Sequence, residues 1–341
     1  MSQSEKKSKA KKVGVKIAKI ESFFPEKILT NEELSERFPE WTPEMIEQKL
    51  GVIRRYVVDD DETALDLAVK VGEKILGNQD KQSINFLILC TQSPDYYLPT
   101  SACILQEKLG LPTHVGAFDF NLGCSGYVYG LGLAKGLIES NMAKRILFIT
   151  SETYTKSINP LDKSNLTIFG DAATATIIEY SENEHILNFE FGTDGTGAKN
   201  LIIPNGGFRN RYNKDALLVD EKGSFRTAND LYMNGPEILT FTIQRIPDLV
   251  YKTLENNQLQ MDEIDYFIFH QANRYMLDYL RKKLRIPEDK FFMDMKDSGN
   301  TVSSTIPIGL QKSSKRLKDG DLVLLAGFGV GYSWGATVIR I

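Results

Sequence analysis

Apolar residues along this chain fall into short blocks that alternate with stripes at helical spacing. Gly14–Ser22 reads as a strand and Pro25 opens a loop. Asn31 is placed to cap a short helix, with Glu33 and Leu34 in its first turn. Pro43–Leu50 predicts a second short helix, closed by Gly51. Leu65, Leu67, Ala68, Val71 and Ile75 form one apolar stripe over Thr63–Leu76, ending at Gly77. From there strands and helices take turns: Phe86–Cys90, Ala102–Leu109, Gly116–Phe120, Ser125–Glu139 and Arg145–Thr150, with a further strand over Ala172–Glu179. Such alternation predicts parallel pairing, with helices covering the sheet faces. Residues 192–197 and 204–207 carry Gly-rich turn chemistry, suited to a connection or to a lid. Pro236–Glu255 predicts a long helix that Pro247 should kink or interrupt.

The second half of the chain repeats the first. Ile84–Cys90 (INFLILC) matches Ile264–His270 (IDYFIFH), Leu109–Pro112 matches Leu284–Pro287, and Arg145–Ile149 matches Leu322–Ala326. Every offset is about 175–180 residues, half the chain, which argues for duplication. The same offset carries the turn at Cys124 onto Asn300, in another Gly-bearing turn that opens a helix. Two halves packed about a pseudo-twofold axis bring both corners together.

Composition narrows the class. The chain is 42% hydrophobic and 25% charged, as soluble globular proteins are. A formal net charge of −4 gives no nucleic-acid signal, and no apolar stretch approaches membrane-spanning length. Residues 1–12 (MSQSEKKSKAKK) hold five lysines and lead into no apolar signal region, so they read as a disordered basic arm. Cys90, Cys103 and Cys124 are sparse and lack ligand or framework spacing. A cytoplasmic setting is expected, without zinc or disulfide scaffolding.

Cys124 follows a strand and precedes a helix, flanked by Gly123 and Gly126. Partial positive charge at a helix start favours thiolate, as an attacking sulfur requires. A small cysteine packed at a corner is the plainer alternative. Of three histidines, His114 and His185 lie in polar turns, whereas His270 ends an apolar strand. Strand ends of this kind carry the sites of parallel α/β sheets. Cys124, His270 and Asn300 therefore share one edge of a doubled fold. The Cys…His…Asn order also admits a cysteine hydrolase, although papain-like enzymes carry a different local signature and no half-chain repeat.

Gly-Cys-Ser-Gly (123–126), Phe-Gly-Asp (169–171), His-Gln-Ala-Asn (270–273), Gly-Asn-Thr (299–301) and GFGVGYSWG (327–335) stand in this order. With these motifs the chain resembles the β-ketoacyl-[acyl carrier protein] synthase III family over its whole length after the arm. The resemblance implies a thiolase-like α/β fold of five layers, αβαβα, with halves at 13–182 and 183–341. It implies an acyltransferase that acylates Cys124 from an acyl thioester and condenses that acyl group with malonyl-[acyl carrier protein], releasing CO2. His270 Nε2 and the Asn300 amide then donate to the enolate oxygen, and the backbone N–H groups of Cys124 and Val330 form an oxyanion hole. The family's turn usually has glycine where this chain has Val330. GFGVG leads from strand into strand, so it is no dinucleotide loop. No cofactor, metal, nucleic acid or membrane partner is implied; a homodimer is, through the loop near Tyr96–Leu98. A specialised condensing enzyme or acyltransferase of a secondary pathway is the alternative within the superfamily, and a non-catalytic partner subunit would lack reason to keep all three residues.

Two departures bear on the primer. Family members primed from coenzyme A clamp its adenine between tryptophan and arginine, positions held here by Met45 and Lys163, with Trp41 one turn away. Arg274, Arg281, Lys282, Lys283 and Arg285 cluster beyond His270, a basic patch suited to an acidic carrier protein or an ordinary solvated helix face.

Overall fold

β-Branched and aromatic runs long enough for one strand, the central ones buried on both faces, organise the chain into two main sheets, with three two-stranded ribbons beside them. The computed structural model describes residues 13–221 and 223–341; the expected basic arm, 1–12, lies outside them. The first sheet holds β1 (Gly14–Phe23), β2 (Phe86–Cys90), β3 (Gly116–Phe120), β4 (Arg145–Glu152) and β5 (Ala172–Ser181), in the order β1-β5-β4-β2-β3. β2 runs parallel to β3 and β4, while β5 is antiparallel to β4 and β1. The second sheet holds β6 (Ile186–Thr193), β7 (Tyr266–Phe269), β8 (Leu322–Gly329) and β9 (Ser333–Arg340), in the order β7-β8-β9-β6. β7 and β8 are parallel, and β9 is antiparallel to both its neighbours.

Laid over the first sheet, β7, β8, β9 and β6 reproduce β2, β4, β5 and β1 in order and sense. The counterpart of β3 has shrunk to a parallel bridge between Phe267 and Phe291. Duplication is thus visible as topology, where the sequence showed it only as matched segments.

Eight helices of seven residues or more complete the described fold: α1 (Asn31–Arg37), α2 (Pro43–Leu50), α3 (Ala64–Leu76), α4 (Ser101–Lys108), α5 (Gly126–Glu139), α6 (Gly235–Asn256), α7 (Arg274–Lys283) and α8 (Thr305–Ser313). Leu67 and Val71 of α3 and Leu105 of α4 pack on Leu87 and Leu147 of the first sheet. α5 and α8 lie between the sheets, where Leu131 and Ile306 join Phe148 of one sheet to Ile268 and Leu325 of the other. Ile246 of α6 and Leu277 of α7 cover the far face of the second sheet at Phe267 and Leu324. The layers therefore read αβαβα.

Two local expectations are corrected. Thr30, not Asn31, caps α1: its hydroxyl accepts the Glu33 N–H, and the Glu33 carboxylate accepts the Thr30 N–H at 2.8 Å. Asn31 turns inward instead, donating to Val52 O at 2.8 Å and accepting from Arg55 Nη2 at 2.9 Å. Pro247 does not interrupt α6, which runs unbroken for 22 residues. Ile246, Pro247, Leu249 and Val250 are all buried, and that packing outweighs the lost backbone hydrogen bond.

Candidate active site

The corner at Cys124 exists because two glycines let other atoms come close. A Cβ at Gly126 would lie 2.4 Å from Cys90 Sγ, and one at Gly329 would lie 2.8 Å from Cys124 Sγ. Ser125 Oγ sits 2.6 Å from Ser333 Oγ, which itself donates to Val330 O at 2.9 Å. The start of α5 is thereby pinned to the β8–β9 turn of the other half. That turn joins antiparallel strands, with Gly329 opposite Ser333, as the reading of GFGVG required.

Cys124 is buried, and its chemistry differs from the expectation drawn from the helix start. The N–H groups of Val330 and Cys124 approach the sulfur and favour thiolate, yet burial first, and the Glu152 carboxylate second, push the thiol up to about 12. Desolvation outweighs the helix terminus. At rest the group is a thiol.

His270 directly follows β7, and its N–H extends the parallel ladder to Ala326 O at 2.8 Å. Burial holds the imidazole down at about 3, so it is neutral through the physiological range. Thr305 Oγ1 lies 2.8 Å from Nδ1 and 3.1 Å from Val302 O. The hydroxyl therefore has two settings. It accepts from Nδ1–H while donating to the carbonyl, which leaves a bare lone pair on Nε2; or it turns to donate to Nδ1, which places the proton on Nε2.

Asn300 is held in a clasp. Its N–H donates to Ile168 O at 2.9 Å, and its carbonyl accepts from Gly170 N–H at 3.1 Å. Oδ1 accepts the Val302 N–H at 2.9 Å, so the amide's remaining polar face is the Nδ2 donor. Val302 supplies that N–H from a left-handed backbone, φ 54°, which is strained for a β-branched residue. Asp171, buried, accepts from Val58 N–H at 3.0 Å and from Thr155, which fixes the 169–171 loop that makes the clasp. Within 270–273, Gln271 and Asn273 are structural: Gln271 Nε2 donates to Phe269 O at 2.7 Å, and Asn273 caps α7 through the Met276 N–H.

Cys124, His270 and Asn300 line one cavity of about 120 Å³. Phe169, Leu201, Met233 and Phe328 give it an apolar wall, and the Phe328 ring stands edge-on to His270 at 5.8 Å. Residues 201–202 pair with 232–233, so this Gly-rich region contributes a wall besides connecting elements. Reading residue types missed Thr305, Tyr154 and Glu152. Thr305 lies five residues past Asn300, a spacing that would have placed it on the opening turn of the next helix. Tyr154 and Glu152 carry no local signal.

The basic residues divide. Arg274 and Lys282 border a groove of about 820 Å³ between α2, α6 and α7, which meets the cavity at Gly235, Asn273 and Met276. Arg281 is half-buried and turned to Asp278 at 3.5 Å and Glu288 at 3.9 Å. Lys283 and Arg285 are exposed at the far end of α7. Lys163 is tied to Glu40 at 2.5 Å, and Lys49 Nζ lies 5.5 Å from the Trp41 ring centre. Among the described residues no helix is long and apolar enough to cross a membrane.

The doubled αβαβα architecture with this corner is a thiolase-like fold. Residues 118–195 match the family model for 3-oxoacyl-[acyl-carrier-protein] synthase III, and residues 254–341 match that for its C-terminal part. The β-ketoacyl-[acyl-carrier-protein] synthase III of Clostridium perfringens is 36% identical over 324 residues, covering 94% of this chain and 97% of its own. That of Caldanaerobacter subterraneus is 32% identical, covering 94% and 95%. A crystal structure of a 3-oxoacyl-(acyl-carrier-protein) synthase III superposes with a TM-score of 0.94 at 46% identity, covering 96% of this chain and all of the other. The 3-oxoacyl-(acyl-carrier protein) synthase of Burkholderia xenovorans gives 0.89 at 37% identity, covering 96% and 94%. The chain belongs to the β-ketoacyl-[acyl carrier protein] synthase III family.

Burial of the thiol sets a first expectation. Because its ionisation is pushed upward, the thiolate share at neutral pH lies below that of a free cysteine. Alkylation of Cys124 by iodoacetamide, followed by peptide mass, should climb about tenfold per pH unit from pH 7 to 9 without levelling. A plateau near pH 7 would contradict it.

Proposed function

We propose that this protein is a decarboxylating 3-oxoacyl-thioester synthase of fatty acid or related acyl-chain biosynthesis, with Cys124, His270 and Asn300 as its catalytic residues. The observation that supports it most is the convergence of a buried thiol, a neutral imidazole and an oriented amide on one cavity. The two duplicated halves, 13–182 and 183–341, each supply part of the machinery.

In the first half-reaction Cys124 Sγ attacks the thioester carbonyl. The S–C bond forms as the thiol proton is relayed through the bare Nε2 of His270, with no lasting imidazolium. The departing thiol takes that proton as its own C–S bond breaks. N–H groups of Cys124 and Val330 receive the developing oxyanion. In the second half-reaction the malonyl C–C bond breaks and CO2 leaves. Its electron pair becomes an enolate whose oxygen accepts from Asn300 Nδ2 and from Nε2–H, the ring having given up its Nδ1 proton and taken one on Nε2 from water between the half-reactions, while the Thr305 hydroxyl turned to donate to Nδ1. The enolate carbon attacks the acyl group, the Cys124 C–S bond breaks, and the released sulfur takes up one proton from water. Neutral donors suit this task, since a cation at His270 would cost its full desolvation.

Intact mass after incubation with acyl thioesters should show one adduct, lost in Cys124→Ala. His270→Ala and Asn300→Ala should keep acylation within about tenfold while decarboxylation falls by about 10²-fold or more, as for removal of an oxyanion donor. CO2 release near the wild-type rate in either variant contradicts this division.

The primer in this reading arrives on an acyl carrier protein. Met45 and Lys163 cannot form the aromatic–guanidinium clamp, which removes stacking worth about 1–2 kcal/mol, or about tenfold in affinity, from coenzyme A. Arg274 and Lys282 at the groove, with Lys283 and Arg285 beyond, offer charge to an acidic carrier; Arg281 is already engaged. For one acyl group on both donors, carrier-dependent acylation should be the faster and should weaken more as salt is raised. Faster transfer from coenzyme A contradicts this.

A homodimer completes the reading. Tyr96, Tyr97, Leu98, Phe208, Tyr212 and Leu217 are exposed, with the Tyr97 and Phe208 rings 5.4 Å apart, and β3 ends its sheet as a half-buried edge. Apolar patches and open edges of this kind are covered in assemblies. Light scattering at micromolar concentration should give twice the chain mass; a monomeric mass refutes it.

A further inference from the structure

Arg55 is wholly buried beside the loops that hold Asn300. It lies on the ribbon of Ile28–Thr30 and Arg54–Tyr56, opposite Leu29. Its Nη1 donates to Leu29 O at 3.2 Å, and Nη2 donates to Asn31 Oδ1 at 2.9 Å and to Thr167 O at 3.0 Å. All three acceptors are neutral, and Nε–H is buried without a partner among the described residues. Burial lowers its ionisation to about 10, against the pull of Glu32 and Glu33 in the first turn of α1, so it is a cation at neutral pH. A buried cation held only by neutral acceptors contributes little to stability, and an apolar side chain of its volume would pack at lower cost.

What the arginine adds is a bracket between segments far apart in the chain. Thr167 O belongs to the loop whose next residues clasp Asn300: Ile168 O accepts the Asn300 N–H, and Gly170 N–H donates to Asn300 O. The arginine stem backs onto both sides of that clasp. A Cβ at Gly170 would lie 3.1 Å from Arg55 Cβ, and one at Gly299 would lie 3.5 Å from it. The neighbouring backbone holds the outer ends of the two loops. Ile53 N–H and Arg54 N–H donate to Lys296 O at 2.8 and 3.2 Å, and Tyr56 O accepts the Asp171 N–H at 2.8 Å. We infer that Arg55 is a positioning residue for decarboxylation, which fixes the 167–170 loop and through it the aim of the Asn300 amide. This inference rests on the reading of Asn300 as a donor to the enolate. None of these bonds reaches Cys124, whose sulfur is met by Gly329 and Val330. Loosening the bracket therefore misplaces one donor and leaves the nucleophile where it is.

The test measures two rates in wild type, Arg55→Met, Arg55→Lys, Asn300→Ala and the double variant Arg55→Met with Asn300→Ala. Cys124 acylation is followed by intact mass, with whichever of acetyl, butyryl and octanoyl thioester the wild type takes fastest. CO2 release from malonyl-[acyl carrier protein] is expressed per Cys124 that can be acylated, so a loss of folded protein cancels. Arg55→Met should lower kcat for decarboxylation about tenfold or more with KM within about twofold, since a misaimed donor is missed only in the transition state. Acylation should stay within about threefold of wild type. Arg55→Lys keeps the charge without the planar fork and should fall between the two. In the Asn300→Ala background, Arg55→Met should cost less than about twofold further, because the donor it aims is gone. If Arg55→Met yields no protein that can be acylated, the same comparison is made with Arg55→Lys alone and combined with Asn300→Ala. Unchanged decarboxylation in the Arg55 variants, equal slowing of both half-reactions, or an equal loss in both backgrounds overturns the inference. Decarboxylation unchanged in Asn300→Ala overturns the reading beneath it instead.

Discussion

The structure depends on the segment 300–305, which carries a run of polar groups into a buried seam between the halves and pairs most of them there, Thr301 Oγ1 being the exception. Asn300 gives its backbone to the 168–170 loop and its Oδ1 to the Val302 N–H. Ser303 donates to Glu152 at the end of β4 at 2.9 Å, and Ser304 lies 2.8 Å from Thr150. Thr305 faces His270. Each unpaired group here would cost about 1–3 kcal/mol, so the segment has few alternative positions. Precision at the site follows from that scarcity, and the strained φ of Val302 is tolerated because its neighbours are fixed on both sides.

Duplication supplies the seam. In each half a parallel pair of strands is followed by antiparallel neighbours, and the corner after the second parallel crossover points at its counterpart. One corner kept a cysteine and the start of a long helix, α5. The other kept an amide and a hydroxyl and opens α8. Neither half holds the Cys124 thiol together with the His270 imidazole and the Asn300 amide, so the cavity they share belongs to the packing of one half on the other. Ser125 and Ser333, 2.6 Å apart, are a point where that packing is a direct hydrogen bond.

What could be read from the sequence divides along the same line. Strands and helices show as spacing, because burial repeats every two or about every 3.6 residues. The duplication shows because buried strands such as INFLILC and IDYFIFH keep their residue types. The position of Cys124 at a strand-to-helix corner was legible for the same reason, as were the two partner residues. Its ionisation was not, because a helix start is a local feature and desolvation depends on everything packed around the sulfur. Thr30 was passed over as the cap of α1 because Asn31 is an equally good capping type; only the inward demand of Arg55 decides between them. Pro247 misled in the opposite direction, since a local rule was overridden by a buried helix face. Tyr154 and Gln92 are 62 residues apart, and no pattern along the chain brings them together.

Burial governs the chemistry in both senses. It raises the Cys124 thiol to about 12 and lowers the His270 imidazole to about 3, so neither group carries charge at rest. A site of charged residues would hold water, and water competes for an enolate. Here the donors that face the cavity are an amide, an imidazole and backbone N–H groups, all neutral, none needing hydration, and each oriented by a second bond behind it. Glu152 follows the same rule: burial pushes it up to about 8, and Ser303, Ser93 and the Gln92 N–H surround its carboxyl. Charge therefore appears in this cavity only when substrate brings it or when the reaction makes it. Dipoles already fixed to receive that charge need not reorganise when it forms, and that is where a dry site gains over solvent.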